Sequence, residues 1–118
     1  MIGIGLANRL AMERAVSGLV SRAEFLLIDA MTIEDQTSQW GIIDGDAQSL
    51  LISAASIVAK VARDEMMVEL GERFCDYEFS RHRGYGTAQH LRELAMSGPC
   101  EIHRMSFEPI RSRSEFSA

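Results

Sequence analysis

Two prolines and two cysteines in 118 residues are too few to shape the chain. A proline-rich linker or other biased, non-folding composition is therefore excluded. Cys75 and Cys100 show no C-x-x-C spacing, which argues against a disulfide scaffold and against a paired-cysteine zinc site. Reduced thiols are the expectation. No stretch reaches the roughly 18 consecutive apolar residues of a membrane-spanning helix. The start carries no basic region ahead of an apolar one, as a signal peptide would. These absences lead to the expectation of a cytoplasmic protein with no membrane partner. An excess of positive charge is missing too: the net charge is −5, so total charge does not announce a nucleic-acid binder.

What is there is ordinary globular composition, 47% hydrophobic and 25% charged, in a length suited to one small domain with a real core. The charge is unevenly placed. Residues 1–79 hold six basic and thirteen acidic side chains, whereas residues 80–118 hold six basic, four acidic and all three histidines. The first part suits cations and the second suits phosphates.

Residues 6–22 repeat Leu6, Leu10, Ala11, Ala15, Leu19 and Val20 at helical steps. Residues 24–29 form an apolar run ending in Asp29, which predicts a strand buried on both faces. A weaker strand is predicted over 39–44, with Thr32 to Ser38 as the loop between. Leu51, Ala55, Val58, Ala62, Met66, Leu70 and Phe74 trace one stripe of a long helix over 47–74. Leu50, Ala54, Ile57 and Val61 widen that stripe, so its first half is expected to be deeply buried. Asp46 stands at the expected N-cap. Residues 75–86 read as irregular, and Thr87 caps a helix that Gly98-Pro99 stops near Met96. The tail from Glu101 has little periodicity, so one domain is expected over 1–110, with 111–118 a disordered tail. The fold class is α/β, yet two strands are fewer than a self-sufficient sheet needs.

Asp29 and Asp46 each follow a strand. In an open α/β sheet, ligands gather at the carboxyl ends of strands, so two such acids suit a shared hard cation, Mg2+ or Mn2+. The bland readings are a strand-ending turn for Asp29 and a helix cap for Asp46. Arg81-His82-Arg83-Gly84-Tyr85-Gly86-Thr87 places cations and a glycine-flanked tyrosine before a helix start. Such a turn can hold phosphate and stack on a sugar or base, or simply be a solvated turn. Lys60 and Asp64 read as a surface i, i+4 pair beside Arg63. The seven methionines read as core filler.

Ser53-Ala54-Ala55-Ser56-Ile57-Val58-Ala59-Lys60-Val61-Ala62-Arg63-Asp64 resembles the long-helix signature of the ribonuclease HII family. His82-Arg83-Gly84-Tyr85-Gly86-Thr87 is similar to a second motif of that family. Gly98-Pro99 followed by Ile102-His103-Arg104-Met105-Ser106-Phe107-Glu108-Pro109 resembles a third. Leu27-Ile28-Asp29 and Gly45-Asp46 match the family's third and fourth metal-site acids in order and approximate spacing. The resemblance implies the last strands, long helix and C-terminal helices of a ribonuclease H-like fold. It implies Mn2+ or Mg2+ as cofactor, with Asp29 and Asp46 as catalytic metal ligands. Tyr85 would stack on the sugar at a ribonucleotide–deoxyribonucleotide junction, with Lys60, Arg63, Arg81 and Arg83 near the substrate backbone and Asp64 supporting. The implied partner is an RNA–DNA hybrid or ribonucleotide-containing duplex DNA, cut on the 5′ side of a ribonucleotide to leave a 3′ hydroxyl and a 5′ phosphate. The implied state of the full-length enzyme is monomeric.

The sequence departs from the family pattern in three places. The adjacent Asp-Glu and the Gly-Arg-Gly loop of the family's opening strand are absent; Asp44 stands where Lys is usual; Ala30 follows Asp29 where Gly is usual. An N-terminally incomplete, inactive endonuclease is therefore the expectation. A non-catalytic remnant binding hybrids through Arg81, Arg83, Tyr85 and Arg104 is the alternative. An unrelated helical interaction protein explains the long stripe but neither the two aspartates nor the Arg-Gly-Tyr-Gly turn.

Overall fold

The computed structural model of the chain describes residues 3–114. It forms two compact units, residues 1–60 and 61–118, with the boundary inside the longest helix. The first unit holds α1 (Ile4–Ser17), β1 (Phe25–Asp29), β2 (Ser38–Ile42), α2 (Gly45–Gln48) and the start of α3 (Leu50–Arg73). The second holds the rest of α3, then α4 (Phe79–His82), α5 (Ala88–Ser97) and α6 (Ile110–Ser114). The architecture is mixed α/β, consistent with a partial ribonuclease H-like fold. Of the tail expected from residue 111, positions 111–114 lie in α6 and 115–118 lie outside the described residues.

β1 and β2 pair in parallel, with Phe25 opposite Ser38 and Asp29 opposite Ile42. Their buried side packs Leu26, Ile28 and Ile33 with Met12, Val16, Ala23 and Met31. Ile33 belongs to the loop, which the Gln39 side chain holds by accepting from the Ile33 amide at 2.8 Å and donating to its carbonyl at 2.9 Å. Gly41 sits where that loop doubles back over β2: a Cβ there would lie 2.5 Å from the Met31 carbonyl oxygen. Only glycine admits so close an approach.

Several expectations are corrected. β1 is buried on one face only; Phe25 and Leu27 point to solvent because nothing among the described residues covers that side. α1 stops at Ser17, where the Gly18 amide bonds back to the Arg14 carbonyl, and it presents Met12 and Val16 to the core while Leu6, Leu19 and Val20 stay exposed. The helix expected over 47–74 is two helices. Ser49 is extended and interrupts them, and its hydroxyl accepts from the Ile52 amide at 3.4 Å, so Ser49 opens α3. Asp46 is thus not a cap; Asp44 holds that place before α2, in the left-handed region, with no side-chain cap bond. The first half of the α3 stripe is not deeply buried either: Leu50, Leu51, Ile57, Val58 and Val61 are 50–86% exposed, and Ile52 is the buried residue of this helix. Amphipathic pattern gives a face, but burial also needs a partner for that face.

The other end of the stripe does find one. Met67, Leu70 and Phe74 pack on Tyr77, Phe79, Leu94 and Ile110. The segment expected to be irregular contains α4, and Thr87 caps α5 as its type predicts, its hydroxyl accepting from the His90 amide at 3.2 Å. Both cysteines are free. No helix among the described residues is long and apolar enough to cross a membrane.

Ala30 has φ 58°, in the left-handed region that disfavours a Cβ by roughly 1–2 kcal/mol. Glycine's greater freedom in the unfolded chain offsets part of this, so Ala30→Gly is expected to stabilise by about 0.5–1 kcal/mol. Gly41→Ala, which drives a methyl into backbone, is expected to destabilise by roughly 1–3 kcal/mol. Thermal melts of the two variants should move in opposite directions.

Candidate functional site

In the first unit, Asp29 is the last residue of β1 and its side chain is exposed. Its Oδ1 accepts a hydrogen bond from the Gly45 amide at 2.8 Å. That bond ties the carboxyl end of β1 to the turn that opens α2, and Asp46 is the next residue along. Gly45 is buried, and a Cβ on it would meet Ile52 Cδ1 at 2.7 Å and Asp29 Oδ1 at 3.2 Å. The missing side chain lets the amide reach the carboxylate. Asp44, at φ 52°, turns the chain here, and its carbonyl accepts from the Ala47 and Gln48 amides. Aspartate tolerates the left-handed region better than most residues, which gives this acid a local role.

The structure therefore brings Asp29 beside the turn that carries Asp46, at one end of the parallel pair. No group of three His, Cys, Asp or Glu side chains suited to a metal ion exists among the described residues. Two exposed carboxylates still suit Mg2+ or Mn2+, which bind through one or two carboxylates and take their other ligands from water and substrate oxygens. Lys60, also of the first unit, is exposed on α3.

The second unit holds Arg63, Arg81, Arg83 and Tyr85. The Tyr85 backbone is fixed on both sides. Its amide donates to the His82 carbonyl at 2.9 Å, and its carbonyl accepts from the Thr87 amide at 2.8 Å. The residue is 54% exposed, with the Arg63 guanidinium 5.0 Å from the ring centroid. Arg63 also donates from Nη1 to the Arg83 carbonyl at 2.9 Å, so it braces the turn as well as flanking the tyrosine. Arg83 adopts φ 53° at the end of α4, followed by Gly84 at φ 80°. Arg81 pairs with Glu78 at 3.0 Å in the open. The Gln89 amide, ahead of the Arg81 guanidinium, holds the Glu78 carboxyl below the usual carboxylate range.

Sequence spacing missed the histidines. His82, His90 and His103 are far apart along the chain and fit no ligand motif, yet they meet. His82 and His90 stack with centroids 4.3 Å apart, and His90 Nε2 faces His103 Nε2 at 3.0 Å. Buried His82 reaches partly buried Glu93, Nε2 to Oε2, at 2.8 Å. Burial first, and the neighbouring His90 second, hold the His103 imidazole below its ordinary range. The one signal available earlier was that all three histidines fall in the last third of the chain.

An α/β chain with an acidic sheet end in one unit and a tyrosine-bearing, arginine-braced turn in the other is what the geometry defines. The family model described as Ribonuclease HII matches residues 2–110, and the chain belongs to that family. It is 48% identical over 111 residues to a protein of Bacillus pumilus (strain SAFR-032) named Ribonuclease HII, an alignment covering 94% of this chain and 44% of that one. The chain thus spans less than half the length of this curated relative.

Asp29→Ala is expected to lower stability by about 1 kcal/mol through loss of the bond to Gly45, while Asp29→Asn, which keeps an acceptor, stays near the parent in a denaturant titration. A second expectation concerns pH. A folded-state His103 pKa below the unfolded value of about 6.5 means that the unfolded chain takes the proton first. Stability from this group is full above about pH 6.5 and is lost as pH falls through the folded value. Melting midpoints across this range should show that sign, and His103→Gln should reduce the slope.

Proposed function

We propose that the fold to which this chain contributes is an endonuclease that hydrolyses the RNA strand of RNA–DNA hybrids, including 5′ of single ribonucleotides in duplex DNA. The observation that supports this reading is the Gly45–Asp29 bond, which holds family-matched Asp29 against the turn whose next residue is family-matched Asp46. Asp29 and Asp46 hold Mn2+ or Mg2+. When bound, the cation supplies positive charge for the attacking and leaving oxygens of the phosphodiester. Asp29 Oδ1 stays with the Gly45 amide, so Oδ2 is the oxygen it presents.

Tyr85 offers an exposed face for a sugar or base, on a backbone held at both its amide and carbonyl. Lys60, Arg81 and Arg83 supply charge for the substrate backbone. The Arg81–Glu78 pair is solvent-exposed and therefore weak, so exchanging Glu78 for a phosphate costs little. Arg63 acts through Tyr85 and the turn. The proposed setting is the cytoplasm, with the full-length enzyme a monomer acting in DNA replication and repair.

The 118-residue polypeptide alone is proposed to be inactive or nearly so, since among the described residues no group of three or more possible metal ligands joins Asp29 and Asp46, and two-metal cleavage normally uses more than two acids. The exposed Tyr85 beside Arg63 favours a second reading for the polypeptide by itself: it binds hybrids without cutting them.

The test is incubation with a DNA duplex holding one ribonucleotide, with Mn2+ or Mg2+. Binding without cleavage is expected, weakened when Tyr85→Ala and Arg81→Ala are combined. Cleavage by the polypeptide alone would overturn the inactivity claim. In parallel, Mn2+ should raise the melting midpoint of the parent chain but not of Asp29→Asn with Asp46→Asn. An equal rise in both sinks the assignment of the cation to these acids.

A further inference from the structure

We propose that His103 and His90 form a proton-ordered relay that fixes the Tyr85 carbonyl, and with it the exposed ring, and that protonating His103 releases that hold. The inference rests on the reading of Tyr85 as substrate-facing and adds positioning residues that do not themselves touch substrate.

The proton order follows from the partners. His90 Nδ1 lies 2.9 Å from the Tyr85 carbonyl oxygen, which can only accept, so Nδ1 carries a hydrogen and donates. In the neutral ring the hydrogen-free nitrogen is then Nε2. That nitrogen faces His103 Nε2 at 3.0 Å, so His103 must donate from Nε2. Its own Nδ1 is then the acceptor, and the Cys100 amide donates to it at 3.0 Å. One neutral tautomer of each ring satisfies every contact. His82 follows the same logic: its Nδ1 accepts from the Gly84 amide at 3.1 Å, and its Nε2 donates to Glu93.

The relay has no hydrogen-free nitrogen left unpartnered for another proton, and the only other acceptor among the contacts of His103 Nδ1 is the weakly accepting Cys100 sulfur at 3.0 Å. A hydrogen added to His103 Nδ1 points at the Cys100 N–H, and one added to His90 Nε2 points at the His103 N–H. Either addition sets donor against donor; at His103 the clash falls on the Cys100 amide, and the ring it displaces carries the Nε2–H away from His90 and so loosens the bond that ends on Tyr85. The titratable groups around the pair are His82, stacked on His90; Glu93, bonded to His82; the Cys100 thiol, whose Sγ is 3.0 Å from His103 Nδ1; and Tyr77, whose ring is 4.9 Å from that of His103. Of these, Glu93 alone is a carboxylate, and His82 already occupies it. The lowered range of His103 agrees with this geometry.

The experiment is nuclear magnetic resonance on the whole chain with nitrogen-labelled histidine, followed from about pH 8 to pH 5 across the ordinary imidazole range. At neutral pH, His90 should be the Nδ1–H tautomer and His103 the Nε2–H tautomer. The Tyr85 amide and ring signals should hold steady above about pH 6.5 and then shift together with the titration of His103. His103→Leu should displace the Tyr85 signals at neutral pH, with Leu94 little changed. His103→Gln, whose amide can donate to His90 Nε2, should restore the Tyr85 signals and remove their acid shift. An Nε2–H tautomer at His90, or Tyr85 signals indifferent to His103 in all three conditions, overturns the relay. Hybrid binding is measured separately. If Tyr85→Ala leaves it unchanged, the substrate role of Tyr85 fails, while the relay is still decided by the tautomers.

Discussion

One hydrogen bond, from the Gly45 amide to the Asp29 carboxylate, organises the first unit. A parallel strand ending in an acid has no inherent reason to sit beside the next strand's exit turn. Here the acid is the acceptor that makes the turn. The price is a constraint on sequence: residue 45 must be small, because Ile52 and Asp29 already fill the place a side chain would take. Structural and functional readings of Asp29 are therefore not rivals. A carboxylate held by one oxygen would have fewer conformations to lose if the other bound the proposed cation.

The second unit is organised by aromatic rings rather than by a sheet. Tyr77 and Phe79 stack 5.1 Å apart, and the three histidines pack against them. Buried imidazoles are tolerable because each ring nitrogen meets a partner, and an unpaired one would cost more than its packing returns. That requirement fixes the tautomers. It also couples the interior to the surface, since the last acceptor in the series is the carbonyl of an exposed tyrosine.

Much of this was legible in the sequence, for stated reasons. The apolar run to Asp29, the Thr87 cap and the Gly98-Pro99 stop are local signals, and local physics decides them. The histidine assembly was not legible, because contacts across long separations leave no mark in spacing. Ser49 was missed because a β-conformation residue between two helices interrupts no hydrophobic period. Asp46 was assigned a cap whose position Asp44 holds by its left-handed backbone alone, with no side-chain bond for a capping preference to predict. The family motifs named Asp29, Asp46 and Tyr85 as candidates, but not the bracing of Tyr85 by Arg63, which geometry alone supplies.

The sharpest disagreement between pattern and structure concerns burial. The β1 run and the first half of the α3 stripe are written for contact on faces that are open here. Continuous apolar strands belong to sheets covered on both sides, and two strands alone are marginal. The second half of the same helix shows that the stripe itself is sound, since Leu70 and Phe74 lie against the Tyr77–Phe79 core. Periodicity thus reports what a face is suited to, not what it touches. Where the two agree, the chain supplies its own partner. Where they differ, the apolar face is a property of the sequence that the fold of residues 3–114 does not use.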